Sequence, residues 1–94
     1  MRVRWTTPAR EHLVSSYDYT ASDNRRAAAR TADRIWESTE IIAKHPMAGR
    51  EGRVVGTREL VVQGTPFLVA YRVGGAEVEI LAVMHAARKW PEEF

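Results

Sequence analysis

The chain has 94 residues, of which 45% are hydrophobic, and its 14 basic and 12 acidic side chains give a formal charge of +2. These figures exclude a disordered polyelectrolyte, a coiled-coil rod and a multidomain enzyme, and they predict one domain over residues 1–94. Cysteine is absent, so disulfides, thiolate nucleophiles and cysteine-based zinc sites are excluded. No signal-peptide pattern and no apolar run of about 18 residues is present, which predicts a cytoplasmic protein without membrane contact.

The first half of the chain predicts one strand and two helices. Residues 2–5 alternate polar and apolar side chains, as in a short strand. Thr7 as a cap and Pro8 after it predict a helix that ends near residues 20–22. A second helix follows Asn24 and ends before Pro46, because the residue before proline avoids the helical region. Its apolar stripe recurs at helical spacing and comprises Ala28, Ala32, Ile35, Thr39 and Ile42, widened by Trp36 and Ala43. The short break predicts an antiparallel helix hairpin.

The second half predicts three strands after a loop. Proline and glycine punctuate residues 46–56, which indicates a loop of about ten residues, a length often associated with function. Strands are predicted at 57–63, 66–73 and 77–85, with Gly74-Gly75 in a tight turn or a slightly longer loop between the last two. The third strand is apolar on both faces and should be central. The order β-α-α-β-β-β predicts an α+β fold whose helices cover one face of a mainly antiparallel sheet, leaving the other partly open.

Arginine dominates the candidate site residues, supplying twelve of the 14 basic side chains. This bias reflects either codon usage or a preference for phosphate and carboxylate ligands. Arginines that converge on the open sheet face would form a cationic groove for phosphate or an acidic segment. The alternative is structural, with Arg58 paired to Glu59 or Glu77 and Arg72 solvated. The groove candidates are Arg50, Arg53, Arg58, Arg72, Arg88 and Lys89.

The histidines offer one further candidate. His85 closes the predicted central strand, where a reactive side chain can be held in place, whereas His12 and His45 are expected at the surface. No metal-ligand spacing and no phosphate loop occurs in the sequence. We therefore expect neither a metal nor a cofactor.

Five segments together resemble the RelE/ParE superfamily of type II toxin–antitoxin toxins, also called plasmid-stabilisation proteins. They are Val3-Arg4-Trp5-Thr6 with Ala9 and Leu13, His45-Pro46-Met47-Ala48-Gly49-Arg50, Gly56-Thr57-Arg58-Glu59-Leu60, Val69-Ala70-Tyr71-Arg72-Val73, and the run from Ile80 to Pro91. The resemblance extends over nearly the whole chain. It implies the same α+β fold, growth arrest, and an antitoxin that lays an extended or helical segment across the toxin and forms an oligomer with it.

The superfamily implies two different activities. One branch cleaves mRNA on the ribosome without a metal, using basic residues on the sheet and a tyrosine or histidine near the C-terminus; the other inhibits DNA gyrase. Here Leu68 stands three residues before Tyr71, where the ribonuclease branch typically has arginine, and no tyrosine follows Tyr71. We therefore predict an inhibitor of gyrase or a similar target. The alternatives are a ribosome-dependent endoribonuclease, with His85 as acid or base and Arg72 or Arg58 steadying the phosphate, and a non-toxic or degenerate binding domain.

Overall fold

Two helices and five strands follow one another in a computed structural model that describes residues 1–87. The elements are β1 (Arg2–Trp5), α1 (Thr7–Ala21), α2 (Arg25–Lys44), β2 (Arg50–Glu51), β3 (Arg58–Val61), β4 (Phe67–Gly74) and β5 (Glu77–His85). The predicted order is confirmed with one addition. The two-residue strand β2 lies within the segment predicted as a loop, because its backbone pairs with β3.

Side-chain caps set the starts of both helices. The Thr6 Oγ1 accepts a hydrogen bond from the Ala9 N–H at 3.3 Å and donates one to the Ile80 carbonyl at 2.7 Å. The predicted cap at Thr7 is therefore wrong by one residue, because Thr6 is the threonine whose hydroxyl faces both the helix and the sheet. Asn24, which the second helix follows as predicted, caps α2, with its Oδ1 accepting from the Ala27 N–H at 3.0 Å.

The sheet is mixed, with the strand order β1-β5-β4-β3-β2. Strand β1 runs parallel to β5, and the other neighbours are antiparallel. The prediction of a central last strand is confirmed, since β5 lies between β1 and β4. A bulge interrupts the β4–β5 ladder: Tyr71 pairs with Ile80 and Ala70 with Ala82, which leaves Leu81 as the extra residue.

The helices pack on one face of the sheet. Ile35 and Ile42 of α2 join Val69, Tyr71 and Ile80 in the main core, all fully buried. A side chain directly opposite another across an antiparallel pair shares its face. The opposite, helix-free face therefore carries Leu68, Ala70, Ala82 and Met84. All four are buried, so this face is less open than expected.

The apolar stripe of α2 is narrower than predicted. Ala28, Ile35, Thr39 and Ile42 are buried, but Trp36 is 57% exposed. The reason is geometric, because Trp36 is one residue and therefore about 100° around the helix from Ile35. Among residues 1–87, no helix is long and apolar enough to cross a membrane. No group of three or more histidine, aspartate or glutamate side chains in that range is placed to hold a metal ion.

Candidate functional site

The arginines of the helix-free face are paired with carboxylates. Arg4 on β1 forms ion pairs with Glu77, at 3.4 Å, and with Glu79. Arg72 on β4 approaches the same Glu79 at 3.9 Å. Exposed pairs of this kind contribute little to stability, but they neutralise the charge. The expected open cationic groove is therefore wrong for this part of the face, because the glutamates of β5 alternate onto the same side as the arginines.

Arg50 and Arg53 meet at one buried carboxylate. The Glu59 side chain is 1% exposed and accepts from the Arg50 Nη2 at 3.2 Å. Its second oxygen accepts from the Arg53 backbone N–H at 2.7 Å, with the Arg53 Nε at 3.9 Å. The two guanidinium-bearing side chains themselves remain about half exposed. Glu59 therefore fixes the loop between β2 and β3 while leaving two cations at the surface.

Tyr71 and Arg58, on the helix side of the sheet, bind residues 46–49, the segment just before β2. The buried Tyr71 hydroxyl donates to the Pro46 carbonyl at 2.7 Å and accepts from the Gly49 N–H at 2.8 Å. The Arg58 Nη1 donates to the Gly49 carbonyl at 2.7 Å. A Cβ at Gly49 would lie 2.6 Å from the Tyr71 hydroxyl, which explains why only glycine fits there. The alternative pairing of Arg58 with Glu59 or Glu77 is wrong. Glu59 is adjacent to Arg58 and points to the opposite face, and Glu77 pairs with Arg4 instead.

His85 stands apart from the arginines predicted to act with it. It pairs with Phe67 across β4 and β5 and meets that ring edge-on, with centroids 5.6 Å apart. Its Nδ1 accepts the Ala87 N–H at 3.1 Å. Arg58 pairs with Tyr71, four residues further along β4, a separation of about 13 Å along the strand.

The three candidates Arg58, Arg72 and His85 are therefore not brought together. Arg72 shares the helix-free face with Glu79, whereas Arg58 and His85 lie on the helix side. The structure therefore does not assemble the residues of the ribonuclease alternative into one site. Their catalytic roles stay predictions, as do the binding roles of Arg50 and Arg53. Arg88 and Lys89 lie outside the described residues.

Of the other two histidines, one departs from expectation. His45 is exposed at the end of α2, as predicted. His12 is half-buried rather than at the surface, and its Nδ1 accepts the Val83 N–H at 3.3 Å. His12 therefore joins α1 to β5 in the fold.

An apolar groove of about 540 Å³ runs along the β1 edge of the sheet. Val14 of α1 and Trp36 of α2 are 59% and 57% exposed there. The indole Nε1 of Trp5 is buried without a hydrogen-bond partner within the described part of the chain. The groove lining comprises Val3, Arg4, Trp5, Arg10, Leu13, Val14 and Trp36. We call it the β1-edge groove.

A second surface lies at the opposite, β2 edge. Met47, Val55 and Val73 are 67%, 96% and 36% exposed, and they line one shallow pocket of about 460 Å³ together with Glu51 and Arg58. We call these three apolar residues the loop-edge patch. Its members and the exposed Val14 were not identified from the sequence. Proline and glycine punctuation was the only signal, and it located the loop without indicating which of its side chains are exposed.

Comparisons with known proteins give one consistent result. Residues 3–90 match the family described as ParE toxin of type II toxin-antitoxin system, parDE. The chain is 42% identical over 91 residues to "Putative toxin Y4kP" of Sinorhizobium fredii, covering 97% of this chain and 94% of that protein. It is 34% identical over 87 residues to "Toxin RelE2" of Caulobacter vibrioides, covering 93% of this chain and 97% of that protein.

The fold has a solved counterpart. A chain of the structure titled "Chromosomal ParDE TA system from P. aeruginosa" superposes with a TM-score of 0.79 at 30% identity. The match covers 90% of this chain and 95% of that one. The helix pair on a mixed five-stranded sheet is thus a fold that this chain shares with a toxin–antitoxin system.

Proposed function

Because the chain belongs to the family of ParE toxins of type II toxin–antitoxin systems, we propose that it stops growth by binding and inhibiting DNA gyrase. It is the toxin component of such a module, and its family implies an antitoxin partner. The gyrase target distinguishes this proposal from the ribonuclease alternative. The observation that carries it is the structural role of Tyr71, whose buried hydroxyl is hydrogen-bonded to two backbone groups of the same fold.

Metal-independent RNA cleavage requires a base for the 2′-hydroxyl, an acid for the leaving oxygen and cations beside the phosphate, within reach of one another. Tyr71 is fully buried and cannot contact a substrate. Leu68 is buried where the ribonuclease branch typically has arginine. Neither Arg58 nor Arg72, the two arginines predicted to act with His85, lies near it on the sheet. A binding toxin needs none of these groups, which favours inhibition by contact.

The β1-edge groove fits the antitoxin. Its apolar lining residues, which include Val3, Leu13 and Trp36, would accept the apolar side of a helical or extended segment. Arg4 and Arg10 line the same groove, which favours carboxylates on that segment.

The decisive experiment uses purified chain and two defined assays. In a supercoiling assay with DNA gyrase, relaxed plasmid and ATP, we expect dose-dependent loss of supercoiling. With translating ribosomes, we expect the mRNA to stay intact. Cleavage at codon positions that disappears in His85→Ala but persists in His45→Ala would overturn the proposal in favour of the ribonuclease. Normal growth after induction of the chain alone would favour the degenerate alternative.

The antitoxin assignment has its own test. Trp36→Ser should weaken binding of the cognate antitoxin by at least tenfold, because the exposed indole is the largest apolar side chain that lines the groove and remains exposed. Ile41→Ser is the matched control, since Ile41 is 47% exposed on the same helix but does not line the groove. If the two variants bind the antitoxin with equal affinity, the assignment of the antitoxin to this groove is refuted.

A further inference from the structure

The loop at the β2 edge is held rigid while its tip is left exposed. The Gly52 N–H donates to the Thr57 carbonyl at 2.8 Å, and the Thr57 hydroxyl donates to the Val54 carbonyl at 2.6 Å. The Arg53 backbone N–H donates to the buried Glu59. Between these contacts Val55 is 96% exposed, although its neighbour Val54 is 7% exposed. A scattered exposed apolar residue is ordinary, but one presented at the tip of a hydrogen-bonded loop is preorganised for contact.

The charge of the chain is concentrated in this region. Residues 44–59 contain four basic and two acidic side chains, a net charge of +2 that equals the charge of the whole chain. The other residues contain ten of each sign. Glu59, one of the two acidic side chains, is buried. Because Glu59 pairs with both Arg50 and Arg53, these three side chains together keep one net positive charge on the helix-free side of the loop. The pocket that Met47 and Val55 line on this loop also contains Arg58 and Glu51. A positively charged loop with an apolar tip complements an acidic surface that has an apolar pocket.

The partner that fits this surface is a protein. A nucleic acid bound through its phosphate backbone would contact the cations and leave Val55 and Met47 exposed. A protein surface can pair carboxylates with Arg50 and Arg53, whose side chains are half exposed, and can bury the valine.

The position of the surface separates it from the β1-edge groove. The strands β1 and β2 are the two edges of a five-stranded sheet, about 19 Å apart at the usual strand spacing. A segment seated along β1 would therefore leave the loop-edge patch uncovered. A chain that must bind both an antitoxin and a target has room for each at its own edge.

We propose that Val55 is the apolar anchor by which this toxin contacts its protein target, with Met47 beside it and with Arg50 and Arg53 directed at acidic residues of that target. This inference rests on the proposed function, because it assumes that the chain acts by binding a protein. It assigns the β2 edge to the target and leaves the β1 edge for the antitoxin.

The test is a reciprocal pair of identical substitutions in the full-length chain, Val55→Glu and Val14→Glu. Both valines are exposed, so both variants should fold, as judged by unchanged circular dichroism and melting temperature. Val55→Glu should raise the concentration for half-maximal gyrase inhibition by at least tenfold and change the antitoxin dissociation constant less than twofold. Val14→Glu should raise the antitoxin dissociation constant by at least tenfold and change the concentration for half-maximal gyrase inhibition less than twofold. Val55→Ser should show a smaller loss of inhibition, because it removes the apolar contact without adding repulsion.

Each outcome bears on one hypothesis. If Val55→Glu inhibits gyrase as well as the wild type, or weakens the antitoxin complex instead, the assignment of Val55 is refuted. If the wild-type chain stops growth but does not inhibit gyrase, the proposed target is wrong. Growth after induction then tests the anchor: relief of arrest in Val55→Glu supports it, and undiminished arrest refutes it.

Discussion

Replacing Tyr71 with phenylalanine removes one oxygen atom and the two hydrogen bonds that hold residues 46–49 against β4. The Gly49 N–H, which is buried, loses its acceptor at 2.8 Å, and the Pro46 carbonyl loses its donor at 2.7 Å. An unpaired buried backbone group costs about 1–3 kcal/mol, and a group that water can reach costs less. Because Pro46 is half-buried, we expect a total loss of about 2–3 kcal/mol. In a domain of this size that lowers the melting temperature by about 10–20 °C.

The assay is thermal unfolding of the Tyr71→Phe chain followed by circular dichroism. Tyr19→Phe is the matched control, since Tyr19 is 82% exposed and should melt within about 2 °C of the wild type. A Tyr71→Phe variant that melts within about 3 °C of the wild type would refute the reasoning. The hydroxyl would then not hold the loop, and a chemical role for Tyr71 would need to be reconsidered.

Two further substitutions test the packing that supports the same region. Gly49→Ala should destabilise the fold by about 1–3 kcal/mol in chemical denaturation, because its Cβ would meet the Tyr71 hydroxyl at 2.6 Å. Gly74→Ala is the control and should be nearly neutral, since nothing lies within 4 Å of its Cβ. Equal losses of stability in the two variants would contradict the close approach at Gly49. Ile35→Ala should lower the free energy of unfolding by about 2–5 kcal/mol, because Ile35 is fully buried. Ile41→Ala, on the exposed side of the same helix, should cost less than about 1 kcal/mol in the same urea titration. Similar costs for the two isoleucines would show that α2 does not pack as described.

The helices and the element order could be predicted because their signals are local. The recurrence of Ala28, Ile35 and Ile42 needs only helical geometry, and the stop before Pro46 needs only the steric effect of proline. Strand β5 was also predictable, since an apolar run that continues on both faces requires neighbours on both sides. Each of these inferences depends on residues close together in the chain.

The candidate site could not be predicted in the same way, because it depends on which face each strand residue occupies. A shift of one residue moves a side chain to the other face of the sheet. Arg58 and Arg72 look equivalent in the sequence, yet the register places one beside Gly49 and the other beside Glu79. The sequence also could not show that the Tyr71 hydroxyl reaches back to Pro46, since that contact spans 25 residues.

The two edges of the sheet differ in a way that suits two kinds of contact. Strand β2 has only two residues, Arg50 and Glu51, and short charged edges resist pairing with another strand. A partner at this edge must therefore bind through side chains, which a rigid loop with Val55 at its tip provides. At the other edge, the groove beside β1 is lined mainly by apolar residues of β1, α1 and α2, which suits a segment with an apolar side. The surfaces that we propose for a protein target and for an antitoxin therefore lie at opposite edges of one five-stranded sheet.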